Sequence, residues 1–216
     1  MVDSTFELFP ADLLRSVSSL SASEKTETKA AARATRTAQR HQIRRANAEA
    51  HLAEILPARI ADGDSWHVIS RGDIDSLSYL THALAGVDHF DYVSISTWCM
   101  ARPDLTQLCD WLDAGKIDQL DFYVGEIFPN QYLDEFSQLL AMQRVYGCRV
   151  VVARNHSKVM CMGNHDDAYY LVAESSANVN TNPRIEQTTL HASRDLYDFY
   201  REFFGELKTI HRGTHV

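Results

Sequence analysis

Arg149-Val150-Val151-Val152-Ala153 runs into Arg154-Asn155-His156-Ser157-Lys158-Val159-Met160-Cys161-Met162, then into Gly163-Asn164-His165-Asp166-Asp167 and Ala168-Tyr169-Tyr170-Leu171-Val172-Ala173. The first five residues are β-branched and apolar behind one arginine, the composition of a buried strand. From His156 onward one parity carries His156, Lys158, Met160 and Met162, the other Ser157, Val159 and Cys161. A period of two predicts a strand with His156 and Lys158 on the same face. The Gly-Asn-His-Asp-Asp stretch is turn chemistry, so residues 168–173 are expected to return as a second strand of a hairpin. Ser175-Ser176-Ala177-Asn178 follows, and Glu186-Gln187 lies a little further on. Ser176 and Asn178 are two apart and point the same way if that segment is extended. The expectation is a cluster of imidazole, ammonium, hydroxyl and carboxamide at one end of a sheet.

Those groups suit a phosphate diester. A neutral imidazole can attack phosphorus and form a covalent phosphoenzyme, dividing one hard displacement into two easier ones. The ammonium of Lys158 and the amide of Asn178 can stabilise the equatorial oxygens as charge shifts. Ser176 can orient or donate, and Glu186 can fix the tautomer of a histidine. This inventory calls for no metal and no cofactor. Read as structure alone, Lys158 guards a strand edge and residues 175–180 form a polar cap or loop.

The segment resembles the phospholipase D superfamily, whose signature is H-x-K-x4-D followed by a G-S/G-G-x-N element and often a later Glu. Residue by residue, the resemblance puts His156 at the nucleophile or acid histidine and Lys158 at the phosphate-binding lysine. Ser176 and Asn178 fall at the Ser and Asn of the second element, and Glu186 at the late Glu. Two positions depart: Gly163 stands where the family has Asp, and Ser175 where it has Gly. The family mechanism uses two histidines, but this chain has a single H-x-K, since none of the other nine histidines has a lysine two residues on. The resemblance therefore implies a homodimer in which His156 from each copy meets across a two-fold axis. It implies a metal-independent phosphodiesterase, foremost a nuclease acting through a phosphohistidine. Two alternatives are a non-catalytic member that binds nucleic acid or a protein partner, because fold does not guarantee function, and a phospholipid headgroup hydrolase or transferase.

The wider chain divides at about residue 60. Residues 24–56 are rich in Ala, Arg and Glu without Gly or Pro, which predicts a long helix closed near Pro57. Lys29, Arg33, Arg36, Arg40 and Arg44 step by three or four and form one helical stripe, a candidate surface for a nucleic-acid backbone or a plain solvated face. The net charge of −8 is unevenly placed: Lys25 to Arg45 holds seven basic residues against one acid, Glu27, so the rest of the chain is strongly acidic and unlike a nonspecific nucleic-acid surface. Residues 61–216 are expected to be an α/β domain of alternating strands and helices, its mostly parallel sheet covered by helices on both faces. Strands are expected near residues 67–69, 92–97, 120–124 and 149–153. Helices are expected near 73–85, 103–112, 130–146 and, rich in aromatics, 190–207. His165-Asp166-Asp167 reads as turn chemistry rather than a metal site, since no helical partner histidines accompany it. Thr97-Trp98, at the end of an expected strand, is expected to line the same sheet edge as His156.

No run approaches the roughly 20 apolar residues of a membrane span, and the first ten residues lack a basic start and apolar core, so no secretory signal is expected. The four cysteines show no C-x-x-C pairing, and Cys148 and Cys161 lie in or beside expected core strands. A reducing cytoplasm is the compartment this suggests.

Overall fold

The structure, a computed structural model, describes residues 45–180 and 184–210. Seven strands form one sheet in the order β1-β7-β6-β5-β2-β3-β4. They are β1 (Ser65–Ser70), β2 (Phe90–Thr97), β3 (Ile117–Gly125), β4 (Arg149–Ala153), β5 (Val159–Asn164), β6 (Tyr169–Ser175) and β7 (Glu186–Ala192). The helices are α1 (45–55), α2 (Ser76–Gly86), α3 (Arg102–Asp113), α4 (Phe128–Gln131), α5 (Leu133–Tyr146) and α6 (Arg194–Glu206).

The sheet is mixed, which corrects the expectation of a mostly parallel one. Only β2–β3 and β3–β4 pair in parallel; β2–β5, β5–β6, β6–β7 and β1–β7 are antiparallel. The reason is loop length. A parallel neighbour needs a crossover, and α3 and α4–α5 supply two, but the four residues between β5 and β6 can only send the chain straight back. β2 is the seam, with a parallel partner on one side and an antiparallel one on the other.

Alternation along the strands sorts the side chains onto two faces. One face carries Val93, Ile95, Phe122, Val124, Met160, Met162 and Leu171, packed with Leu77 and Leu80 of α2, Leu105 and Leu108 of α3 and Leu139 of α5. Ala48 and Leu52 of α1, with Leu56 and Ile60 beyond it, are buried in the same core. The other face carries Tyr92, Tyr123, Val151, Cys161, Tyr170 and Val172 under Tyr197 and Phe204 of α6. Full burial of each large apolar side chain contributes about 1.5–3 kcal/mol.

Local chemistry sets the helix ends. The Asp75 carboxylate accepts from the Ser78 amide at 2.9 Å and begins α2. Pro103 opens α3. Gly147, left-handed at φ 73°, closes α5. Ser193 caps α6 by accepting from the Leu196 amide. That cap marks where the aromatic helix was expected too early: residues 186–192, with β-branched Thr188 and Thr189, form β7 instead. The helix expected over 130–146 is broken at Tyr132, and within it Leu139 and Met142 are buried while Val145 is exposed.

α1 is tied to the body by charge as well as packing. The Arg45 guanidinium reaches the carboxylates of Asp75, at 3.4 Å, and of Asp104. At the other end of the chain, Arg149 donates to the Leu207 carbonyl, and the Ile210 amide donates to the Val152 carbonyl at 2.9 Å. The segment after α6 is thus bonded along the outer side of β4. All four cysteines are free thiols, and no helix among the described residues is long and apolar enough to cross a membrane.

Candidate active site

Four chain segments meet at one end of the sheet, where β2 finishes, β5 starts, β6 finishes and β7 starts. His156 and Lys158 lie in the loop entering β5, not on the strand, which begins at Val159. The pull of other partners explains the difference. Buried Asn155 donates to the Ser96 hydroxyl (2.9 Å) and the Tyr123 carbonyl (2.8 Å), and accepts from the amide and hydroxyl of Ser157. This holds residues 155–157 on the ends of β2 and β3 rather than in a ladder. Nothing in the alternation flagged Asn155, because its role depends on strands distant in sequence.

The Lys158 ammonium faces the His156 ring, 3.0 Å from Nδ1 and 3.4 Å from Nε2, and donates to the His156 carbonyl at 2.6 Å. An ammonium only donates, and it stands within reach of both ring nitrogens, so it can bond whichever one carries the lone pair. Partial burial depresses the Lys158 pKa, against the opposing pull of Cys99 and Glu186. The His156 ring also lies 5.5 Å from the Trp98 ring. Trp98 fits there because Gly125 has no side chain: a Cβ on Gly125 would stand 2.6 Å from Trp98 Cδ1.

Asn178 belongs to the same end. Its Oδ1 accepts from the Trp98 amide at 3.1 Å and the Thr97 hydroxyl at 3.3 Å. Engagement of the oxygen leaves the NH2 as the donating end. The segment is clamped further by Ser76, whose hydroxyl donates to the Ala177 carbonyl, and by the Val179 amide on Thr97 Oγ1. Ser176 is bonded across to Gln187 through its backbone, and its hydroxyl donates to Glu186. Ser176 and Asn178 therefore serve different neighbours, Glu186 and the β2 loop. Lys158 and Glu186 are close enough to interact electrostatically.

The two departures from the phospholipase D pattern have local reasons. The Ser175 hydroxyl, where the family has Gly, bonds the Gln187 carbonyl and Thr188 Oγ1 and accepts from the Ala177 amide. Gly163, where the family has Asp, lies under the buried Tyr197 ring, and a Cβ there would be 2.6 Å from Tyr197 Oη. Introducing the aspartate of the phospholipase D pattern is thus expected to break the fold: Gly163→Asp should destabilise by at least about 3 kcal/mol, from overpacking plus a buried carboxylate. Urea denaturation measures this; a midpoint equal to wild type contradicts the close packing of Tyr197 on β5.

The basic stripe of Lys29, Arg33, Arg36, Arg40 and Arg44 lies outside the described residues. Neighbouring Arg45, basic in the same run, is partly buried and held in ion pairs.

No protein-family model matches the sequence, and no curated protein matches it. Solved structures with partial likeness include polyphosphate kinase from Porphyromonas gingivalis, at 16% identity and TM-score 0.48 over 68% of this chain and 24% of that one. TrmBL2, an archaeal chromatin protein whose structure shows a mode of DNA binding, aligns at 8% identity and TM-score 0.49 over 94% of this chain and 72% of that one. Phosphatidylserine synthase from Haemophilus influenzae Rd KW20 aligns at 17% identity and TM-score 0.42 over 65% and 37%. The chain thus spans about a quarter of the kinase and little more than a third of the synthase. What the site can do chemically is read from its own residues.

Proposed function

We propose that the protein is a metal-independent phosphodiesterase, foremost a nuclease, whose site is completed by a second copy of the chain. The observation that carries this reading is the Lys158 ammonium set against the His156 imidazole, at the sheet end where Asn178 and Glu186 also converge. While Lys158 bonds the unprotonated ring nitrogen, the resting ring has no free lone pair to offer. A bound phosphate supplies the stronger acceptor, and Lys158 leaves the ring for its oxygens. The freed nitrogen forms the bond to phosphorus, and the P–O bond to the leaving group breaks with its electron pair going to oxygen. That oxygen takes a proton from His156 of the partner subunit, which enters the step as imidazolium and is left neutral. The same partner ring then accepts a proton from water, whose oxygen displaces His156 from phosphorus. Lys158 and the Asn178 amide steady the equatorial oxygens throughout.

The test pairs chemistry with assembly. Cleavage of single-stranded DNA, RNA and bis(p-nitrophenyl) phosphate is followed with and without EDTA, and the mass in solution is taken by light scattering. A dimer whose turnover is unchanged by EDTA supports the proposal. A strict monomer, or turnover abolished by chelation and restored by a divalent ion, sinks it.

A further inference from the structure

At the opposite end of β2 a second cluster forms from residues that are far apart in sequence. His89 immediately precedes β2, Asp91 lies within it, and Asp118 lies on the parallel neighbour β3. His89 Nε2 is 3.3 Å from Asp91 Oδ1 and 3.2 Å from Asp118 Oδ2, and one ligand atom from each of the three residues lies within 4.8 Å of the other two. These spacings have a meaning. Tetrahedral zinc with bonds of about 2.0–2.1 Å to imidazole nitrogen and carboxylate oxygen sets its ligand atoms about 3.3–3.4 Å apart. The His89 contacts with both carboxylates match that edge.

The surroundings hold these groups in place. The second Asp91 oxygen, Oδ2, accepts from His165 Nδ1 at 2.7 Å and from the His165 amide. That fixes the carboxylate plane and leaves Oδ1 directed at His89, the kind of outer bond that orients metal ligands. Asn164 Nδ2 donates to the His89 carbonyl at 2.9 Å, and the Phe90 amide donates to the Lys116 carbonyl at 3.0 Å, so the backbone carrying the imidazole is pinned on both sides. His89 and Asp91 are partly buried and Asp118 is exposed, which leaves a path for entry and room for a solvent ligand.

We propose that His89, Asp91 and Asp118 form a binding site for one zinc-class divalent ion, with solvent in the fourth position and His165 as the outer partner of Asp91. The mixture of imidazole and carboxylate favours zinc over the oxygen-only cations. The ion would join the starts of β2 and β3, and through His165 the β5–β6 turn, into one unit. The eight-residue length of β2 sets it roughly 20 Å or more from His156, at about 3.3 Å per residue. It is thus separate from the phosphodiester chemistry, and neither proposal depends on the other.

The full-length chain, stripped with EDTA and dialysed, is titrated with zinc chloride by calorimetry, with metal content measured after equilibrium dialysis. One saturable equivalent is expected, together with a zinc-dependent rise in melting temperature. His89→Gln and Asp118→Asn should each weaken binding at least about tenfold, and His156→Ala should leave it unchanged. Circular dichroism checks that each variant is folded; Asp118, 61% exposed, can be changed without disturbing a core. Absence of saturable binding overturns the site and leaves a His–Asp salt cluster. Binding that survives both substitutions, or that disappears with His156→Ala, overturns it as well.

Discussion

His156→Ala is expected to lower phosphodiester cleavage by at least about 10³- to 10⁴-fold, the range for losing an essential acid–base or nucleophilic group. Stability should barely change, because His156 is exposed, its ring lying beside Trp98 and Lys158; surface truncations of this kind stay within about 0.5 kcal/mol. The separation of the two readouts is what makes the result informative. Subunit mixing sharpens it further. If one imidazole attacks while the other protonates the leaving oxygen, a dimer with one His156→Ala subunit is as dead as one with two. Activity per wild-type subunit should then fall in proportion to the wild-type fraction as mutant chains are added and exchanged. Activity that simply tracks the amount of wild-type chain, with no further loss, rules out a shared site.

Arg45→Met should destabilise the protein by about 3–5 kcal/mol, the cost of stranding a buried charge after its partner is removed. The Arg45 side chain serves two carboxylates, Asp75 and Asp104, whose side chains are 7% and 1% exposed. Without it they confront each other in the core with no countercharge. Even in the native protein one guanidinium is shared by two acids, and burial followed by the proximity of Asp75 pushes the Asp104 pKa up to about 6. The sign of the pH effect follows. Between the ordinary carboxylate range near 4 and about 6, the folded state holds a proton that the unfolded state has released, so this group's contribution to stability falls as pH rises through that window. In Arg45→Met the loss is greatest at neutral pH and shrinks on acidification. Adding Asp104→Asn to Arg45→Met should restore a large part of the stability. Urea titrations at pH 5 and pH 7.5 measure both effects; an Arg45→Met penalty that is equal at the two pH values contradicts the buried three-residue network.

Much of the strand and helix pattern could be read from the sequence because it rests on near neighbours. The hairpin of β5 and β6 follows from alternation and turn residues, and α3 from its early proline. β7 could not be read that way: 186–192 sits against an aromatic helix, and only pairing with β6 and β1 shows it to be a strand. The sheet's mixed character has the same origin, for strand direction is decided by which elements become neighbours. The site divides along similar lines. Residue type and spacing singled out His156, Lys158, Ser176, Asn178 and Glu186. The network of Asn155 and the seat of Trp98 on Gly125 depend on β2 and β3, more than twenty residues away in sequence. His165 illustrates the converse. In sequence its neighbours Asp166 and Asp167 are the obvious partners, whereas in space its imidazole bonds Asp91.

The segment bonded along β4 restricts how two molecules can associate. A bare border strand invites a foreign one to extend the sheet, but here the Val152 carbonyl is already taken by the Ile210 amide and the Val152 amide by the Thr209 hydroxyl. Continuous β-addition on that flank would first have to peel the segment 207–210 away. A second copy that pairs by strand addition would meet an occupied border there.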